Sequence, residues 1–204
     1  MGGLTLKNGI FFIAIVLSII ILVISCGPNT ITKKELEVIK DVIPDIDKSN
    51  IELIKLNDNV IRKFPAVKKA FRIKNGDNND YAFMVAPVGF RGHINTLVVI
   101  DGEQNQVRDV KIIDHEETLI YAESLTEGWF LDRFKGKSMK EYLHRVILET
   151  NKPNEIIQIT AATISTQAVI NGVNSAIGAY RELVLEETAE PVPFKVEGLV
   201  TGAE

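Results

Sequence analysis

The stretch from residue 159 to residue 169 has the composition of an anion-binding site. It reads ITAATISTQAV: a short apolar run ends, small and hydroxyl-bearing residues follow, and an amphipathic helix is predicted to begin at Thr163. The first turn of a helix has four N–H groups without intrahelical acceptors and the positive end of the helix dipole, so a phosphate is stabilised there. The small side chains of Ala161 and Ala162 let such a group approach the backbone. Further donors, or an oxygen that can be esterified, are supplied by the hydroxyls of Thr160, Thr163, Ser165 and Thr166.

The same hydroxyl groups also have a purely structural explanation. Serine and threonine are favoured at helix starts because their side-chain oxygens accept hydrogen bonds from the free N–H groups. From the residues alone, these hydroxyls are therefore either helix caps or part of an anion-binding site.

The composition is typical of a globular protein and excludes several other classes. The 204 residues are 46% hydrophobic and 25% charged, which suits one compact domain with an appendage. Lys and Arg number 23 against 27 Asp and Glu, so the net charge of −4 offers no basic surface to nucleic acid. A single cysteine, Cys26, excludes an intramolecular disulfide and a cysteine-rich zinc or iron–sulfur site. We predict no metal ligands and no catalytic residues.

The N-terminal segment is predicted to associate with a membrane. Residues 10–25 read IFFIAIVLSIIILVIS. A buried helix of a soluble domain is disfavoured because the run is apolar on every face, which leaves two main interpretations. In one it is an uncleaved membrane helix. In the other, Val23 and Ser25 precede Cys26 as in a lipoprotein signal peptide, and Cys26 is lipidated. Residues 1–27 are thus a membrane anchor or a lipoprotein signal segment.

The rest of the chain is predicted to fold as an α+β domain. Residues 28–50 form a stalk or first packing helix, and an antiparallel sheet follows because short polar turns separate β-like runs. Helices at 123–134 and 163–187 pack on this sheet, and two further strands lie at 142–148 and 156–159. The domain spans 51–188, and the proline-containing residues 189–204 form a flexible tail. The predicted sheet strands are residues 51–56, 70–74, 81–87, 94–100 and 107–113.

Three smaller features carry expectations of their own. Gly172 and Gly178 lower the intrinsic stability of the long helix by about 1 kcal/mol each, so we expect its backbone to pack closely on a neighbour there. Residues 115–117, His-Glu-Glu, are expected to form a solvated loop. Trp129, with Phe130 and Phe134, is expected to belong to the core.

The residues from Thr160 to Thr163 resemble the flavinylation motif of FMN-binding domains. In that motif, [ST]-Gly-Ala-[ST] precedes a Thr/Ser pair and an Ala-Val helix, and its last residue carries FMN through a phosphoester. The resemblance assigns the attachment to Thr163, and the phosphate corner to Thr160, Ala161, Ala162, Ser165 and Thr166.

A second set of motifs extends the resemblance over nearly the whole chain. The stretches PVGFRGHI at 87–94, VVIDG at 98–102, HEET at 115–118 and WF…RFKGK at 129–137 are similar to the G subunit of Rnf electron-transport complexes. The C subunit of the sodium-translocating NADH:quinone reductase shares this plan, and the shorter length favours the Rnf-type subunit. By this resemblance, Glu117 and Thr118 lie near the flavin ring.

Three positions differ from the family pattern. Ile157 replaces an acidic residue, and Ala161 replaces a glycine. If residue 161 has a positive φ, the alanine costs roughly 1 to 2 kcal/mol. The Glu-Thr-Pro-Gly-Leu-Gly loop reads ETLIYA at 117–122, so its tight glycine turn is replaced by bulkier residues.

The resemblance implies an electron-transfer subunit, not a complete enzyme. Its expected setting is a membrane-bound, ion-translocating ferredoxin:NAD oxidoreductase complex of the Rnf type. The expected partners are the other subunits, the membrane and a flavin transferase, and the soluble domain is expected on the outer side of the cytoplasmic membrane. Two alternatives remain open: a membrane-attached lipoprotein scaffold without covalent flavin, motivated by the three departures, and a free-standing extracellular flavin carrier.

Overall fold

A computed structural model describes residues 31–196, and for residues 119–122 it describes the backbone alone. The predicted membrane segment and Cys26 lie outside the described residues. Within residues 31–196, no helix combines the length and the hydropathy that crossing a membrane requires.

The central element is a five-stranded antiparallel sheet whose strands are adjacent in chain order. The turn between the second and third strands contains Gly76, whose φ of 63° is in the left-handed region that glycine adopts readily. At the next hairpin, Oδ1 of Asp101 accepts hydrogen bonds from the N–H groups of Glu103 and Gln104. All five predicted strands are confirmed, with shifted ends: β1 (Ile51–Ile54), β2 (Val67–Asn75), β3 (Asn78–Val85), β4 (Ile94–Asp101) and β5 (Gln106–His115).

Both faces of the sheet bury apolar side chains. Along β3, Phe83 and Val85 point into the main core, whereas Ala82 and Met84 are buried on the opposite face. The first helix, α1 (Lys33–Lys40), is joined to the strands by the ion pairs Lys69–Glu35 and Lys34–Asp114. The predicted stalk region therefore contacts the domain. The short helix α2 (Asp58–Lys63) lies between β1 and β2.

The long C-terminal helix packs against the sheet and fills the main core. It spans Thr163–Leu183, four residues shorter than the predicted 163–187, and its apolar residues from Val169 to Tyr180 are buried. The backbone is as closely packed as its two glycines predict. A Cβ at Gly172 would lie 2.9 Å from Cγ of Pro87, and a Cβ at Gly178 would lie 2.3 Å from Cε1 of Phe64.

Between β5 and the long helix the chain forms short elements. The helices α3 (Leu119–Thr126) and α4 (Gly128–Leu131) and a 3-10 turn (Asp132–Phe134) replace the single predicted helix over 123–134. The strands β6 (His144–Val146) and β7 (Glu155–Ile157) pair in parallel. We label the long helix α5. Its Asn174 side chain donates to the carbonyl of Leu143 at 2.9 Å and accepts from its N–H at 2.8 Å, which fixes the segment before β6.

Residues 189–196 pack on the domain instead of extending into solvent. Ala189 and Val192 are buried, and the N–H of Val192 donates to the carbonyl of Lys63 at 3.0 Å. The N–H of Val88 donates to the carbonyl of Phe194 at 3.1 Å. The prolines predict a flexible tail, but the segment packs on the domain. Apolar residues alternate with the prolines, and their side chains are buried or partly buried. Residues 197–204 lie outside the described residues.

Candidate functional site

The predicted phosphate corner is a sharp turn between β7 and α5. Ala161 has a φ of 63°, so the family glycine corresponds to a position that does adopt the left-handed conformation. The N–H of Ala162 donates to the carbonyl of Ile159 at 3.1 Å, and helix α5 begins at Thr163. The backbone of Ala161 therefore carries the strain of roughly 1 to 2 kcal/mol that a positive φ costs an alanine.

The first turn of α5 has free hydrogen-bond donors. Its N-cap is Ala162, which has no side chain able to accept a hydrogen bond. In the part of the chain that the structure describes, the N–H groups of Thr163, Ile164 and Ser165 have no acceptor. The structural interpretation of the hydroxyls as N-caps therefore does not apply to this helix start, whereas the donors that an anion requires are available.

The four hydroxyl groups have different environments. Oγ1 of Thr166 is fully buried and accepts from the N–H of Ile159 at 3.2 Å, so it stabilises the corner. Oγ of Ser165 is buried and donates to Glu117. The hydroxyl of Thr163, on a half-buried residue, makes no hydrogen bond to the described residues, and Thr160 is exposed in the turn. Thr163 therefore has the hydroxyl that is both free and placed at the helix start.

A pocket of about 400 Å³ lies against this corner. Its size is within the range of small-molecule sites, and the small side chains of Ala161 and Ala162 leave the helix start open to it. Six of the eight predicted site residues line the pocket, but Thr160 and Thr166 do not. The lining residues are Phe90, Glu117, Thr118, Ala161, Ala162, Thr163, Ile164 and Ser165.

Glu117 is buried and engaged in hydrogen bonds, unlike the residue of a solvated loop. Only 7% of it is exposed, its Oε1 accepts from the N–H of Arg91 at 2.8 Å, and its Oε2 accepts from Ser165. His115 ends β5, and its buried Nδ1 has no partner among the described residues. The expected solvated loop at 115–117 is therefore wrong for these two residues, because the chain turns inward at the pocket. Glu116 is exposed, as expected.

Two lining residues, Phe90 and Ile164, were not predicted. Phe90 is 63% exposed at the tip of a tight hairpin. An aromatic residue in the sequence Gly89-Phe90-Arg91-Gly92 carries a recognisable signal, because a polar, glycine-bounded turn rarely needs a large apolar side chain. Ile164 is an ordinary helix residue whose position in the first turn brings it to the pocket.

The structure shows the surroundings of the other two departures from the family pattern, Ile157 and residues 119–122. Ile157 ends β7, and its carbonyl accepts from Nη1 of Arg133 at 2.6 Å. The guanidinium of Arg133 stacks on Trp129, which is 46% exposed and therefore not the core residue that was expected. Residues 119–122 form the first turn of α3, since Leu, Ile, Tyr and Ala are compatible with a helix where Pro and Gly are not.

Comparison with known proteins identifies related sequences. Residues 89–178 match the family model described as FMN-binding domain. The G subunit of the Na(+)-translocating ferredoxin:NAD(+) oxidoreductase complex of Acetobacterium woodii is 35% identical over 112 residues, which are 53% of each chain. The G subunit of an ion-translocating oxidoreductase complex of Aliivibrio fischeri is 26% identical over 127 residues, which are 60% of this chain and 59% of that protein. The chain thus spans less than two thirds of the length of these relatives.

Solved structures with the same fold are the C subunits of NADH-quinone reductases. The C subunit of the Na(+)-translocating NADH-quinone reductase from Parabacteroides distasonis superposes with a TM-score of 0.57 at 12% identity, covering 78% of this chain and all of that one. NqrC of Shewanella oneidensis gives 0.50 at 12% identity, with 76% and 88% covered. These likenesses establish the α+β fold that was predicted. Residues 89–178, which match the FMN-binding domain model, include every residue that lines the pocket.

Proposed function

We propose that this chain is the FMN-carrying electron-transfer subunit of an Rnf-type ion-translocating ferredoxin:NAD oxidoreductase complex. Two relatives are named as G subunits of ion-translocating oxidoreductase complexes, and the pocket lies within the matched FMN-binding domain. The other subunits of that complex are then its partners. The domain lies on the outer side of the cytoplasmic membrane, anchored through residues 1–27.

In this proposal FMN is attached through its phosphate to the hydroxyl of Thr163. The observation that carries the assignment is the free hydroxyl of Thr163 beside three unpaired N–H groups at the mouth of the pocket. A flavin transferase supplies an activated flavin phosphate, and the Thr163 oxygen forms a bond to its phosphorus. The bond between phosphorus and the activating group breaks, and the departing group takes up the hydroxyl proton. The remaining phosphate charge is stabilised by the N–H groups of Thr163, Ile164 and Ser165.

The residues of the pocket suit this cofactor. Bound FMN supplies the ability to exchange one or two electrons, and a covalent link prevents its loss to the medium. The chain's own residues fix the phosphate at the helix start, leave room through Ala161 and Ala162, and provide an aromatic wall through Phe90.

The test is covalent labelling of the full chain co-expressed with a flavin transferase. We expect a fluorescent band after denaturing electrophoresis and a mass increase equal to one esterified FMN. Thr163→Val removes the oxygen and abolishes both signals, whereas Thr163→Ser retains them because serine also forms a phosphoester. Labelling that survives Thr163→Val contradicts the attachment site, and an unlabelled wild-type chain contradicts the proposal.

A second candidate function is a membrane-attached scaffold that has lost covalent flavin. It is favoured by the strained Ala161, with φ at 63°, and by the apolar Ile157. If it holds, the wild-type chain stays unlabelled and the double variant Ile157→Asp/Ala161→Gly gains the label. A free-standing flavin carrier gives the same labelling as the first proposal but does not co-purify with other membrane subunits.

A further inference from the structure

The pocket has two walls that come from distant parts of the chain. One is the corner formed by residues 161–165. The other is the tip of the hairpin before β4, in which Val88 pairs with His93 and the N–H of Gly89 donates to the carbonyl of Gly92 at 2.7 Å. Phe90 lies at this tip, where it lines the pocket while most of its surface is exposed.

The side chain of Glu117 joins these two walls. On the hairpin side, Oε1 accepts from the N–H of Arg91 at 2.8 Å and, more weakly, from that of Gly92 at 3.4 Å. On the corner side, Oε2 accepts from the hydroxyl of Ser165 in the first turn of α5. One buried carboxylate therefore fixes the hairpin tip relative to the residues beside Thr163.

The backbone of the hairpin lies close to the Glu117 side chain at Gly89. A Cβ at Gly89 would lie 2.7 Å from Oε1 of Glu117 and 2.9 Å from Cδ1 of Ile94. A side chain at 89 would therefore push the end of the Glu117 side chain or Cδ1 of Ile94 aside. The absence of a side chain at Gly89 thus lets the hairpin backbone approach the Glu117 carboxylate closely.

Glu117 also brings a charge to the pocket that no cation balances directly. Its hydrogen bonds within the described residues are all accepted from neutral groups, namely two N–H groups and one hydroxyl. Within residues 31–196, no ion pair with Lys, Arg or His involves it. A buried carboxylate in such surroundings acts on neighbouring groups through a lower effective dielectric than an exposed one.

We propose that Glu117 is a positioning residue for the flavin: it holds the hairpin so that Phe90 covers the cofactor, and its carboxylate lowers the reduction potential of that cofactor. The inference rests on the proposed function. It assigns Glu117 a role through the hairpin and through charge, in place of the ring contact that the family resemblance implies.

The first test measures how well the flavin is covered, using the full-length flavinylated chain. Quenching of flavin fluorescence by acrylamide, which is neutral, reports access without interference from charge. We expect Glu117→Ala and Phe90→Ala to raise the quenching constant, and the double variant to raise it no more than Phe90→Ala alone, because both act on the same wall. Glu117→Gln should stay near the wild-type value, since its amide accepts from Arg91 and donates to Ser165.

The second test measures the reduction potential of the bound flavin. Glu117→Gln should shift it to a more positive value, since removing the carboxylate makes electron uptake easier. Glu116→Gln is the matched control: it removes a neighbouring charge that is exposed and screened by water, so its shift should be clearly smaller. Thermal unfolding of each variant shows whether the fold is retained. If Glu117→Ala does not fold, Ser165→Ala cuts the same link on the corner side and should also raise acrylamide quenching.

The outcomes separate this inference from the proposed function. A labelled wild-type chain whose quenching is unchanged in both Glu117→Ala and Ser165→Ala overturns the inference alone, as does an additive double variant. A potential that shifts equally in Glu117→Gln and Glu116→Gln overturns the role of the charge. A wild-type chain that carries no flavin overturns the proposed function and, with it, the inference.

Discussion

The hydroxyl oxygen of Thr166 accepts a hydrogen bond from the N–H of Ile159 at 3.2 Å, and this contact closes the turn between β7 and α5. Thr166 is fully buried, so Thr166→Val leaves the N–H of Ile159 without an acceptor while keeping the side-chain shape. We expect the free energy of unfolding to fall by about 1–3 kcal/mol, measured by urea denaturation. Thr160→Val, at an exposed position, is the control and should change it little. Equal effects of the two substitutions would contradict the conclusion that the Thr166 hydroxyl stabilises the corner and the Thr160 hydroxyl does not.

Ala161 pays a conformational cost at its φ of 63°. Ala161→Gly relieves roughly 1–2 kcal/mol of strain but adds chain entropy of about 0.5–1 kcal/mol to the unfolded state. We therefore expect a net stabilisation of about 0.5–1 kcal/mol in urea denaturation. Ala162→Gly is the control: residue 162 has a φ of −122°, so the substitution relieves no strain and should destabilise. If both substitutions stabilise the domain, relief of backbone strain at residue 161 is not the cause.

At Gly178 the backbone of α5 packs closely against Phe64 and Tyr142. A Cβ there would lie 2.3 Å from Cε1 of Phe64 and 2.6 Å from the hydroxyl oxygen of Tyr142. Gly178→Ala should destabilise the domain by about 1–3 kcal/mol through overpacking, in spite of the better helix propensity of alanine. At Gly128 the nearest atom to an added Cβ is 3.7 Å away, so Gly128→Ala should be close to neutral. Thermal unfolding compares the two.

Glu182 makes stability depend on pH in the acid range. Burial raises the pKa of this carboxyl, but the hydrogen bonds from Lys63, the N–H of Ala189 and Asn59, with the charge of Lys63, together lower the pKa below its ordinary value. A lowered folded-state pKa means that the stabilisation is complete above the unfolded-state pKa and is lost as the pH falls through the folded-state value.

We therefore expect Glu182→Gln to reduce the free energy of unfolding by about 1.5–3 kcal/mol at neutral pH and to flatten its decline in acid. Urea denaturation as a function of pH measures both effects. Glu187→Gln removes a carboxyl that is 54% exposed and paired with Arg181, and it should have little effect. An unchanged acid limb in Glu182→Gln would show that another carboxyl controls the transition.

The corner between β7 and α5 could be predicted from sequence because its signals are local. Small residues, hydroxyls and the onset of helical periodicity at Thr163 all lie within one stretch. The partners of that corner could not be predicted in the same way. Glu117 is 48 residues from Ser165 in the chain, and neither the carboxylate nor Phe90 carries a periodic pattern that places it at the pocket.

The sheet was predictable for a similar reason, since β-like apolar runs bounded by polar turns mark its strands. The region from residue 119 to residue 157 was less so, because its elements are three to eight residues long and depend on contacts with α5. Asn174 illustrates this dependence. Its two hydrogen bonds to Leu143 fix the segment before β6, and such a long-range contact leaves no trace in local propensity.

The hydrogen bond from Val88 to Phe194 places the last described residues at the base of the hairpin that carries Phe90. Lys195 pairs with Val88 in parallel, and the Lys68 ammonium lies 4.9 Å from the centre of the Phe194 ring. An autonomous version of this domain should therefore extend through residue 196. A boundary drawn at residue 188 would remove the hydrogen bond between Val88 and Phe194 from the base of the hairpin, while the contacts of the hairpin with Glu116 and Glu117 would remain.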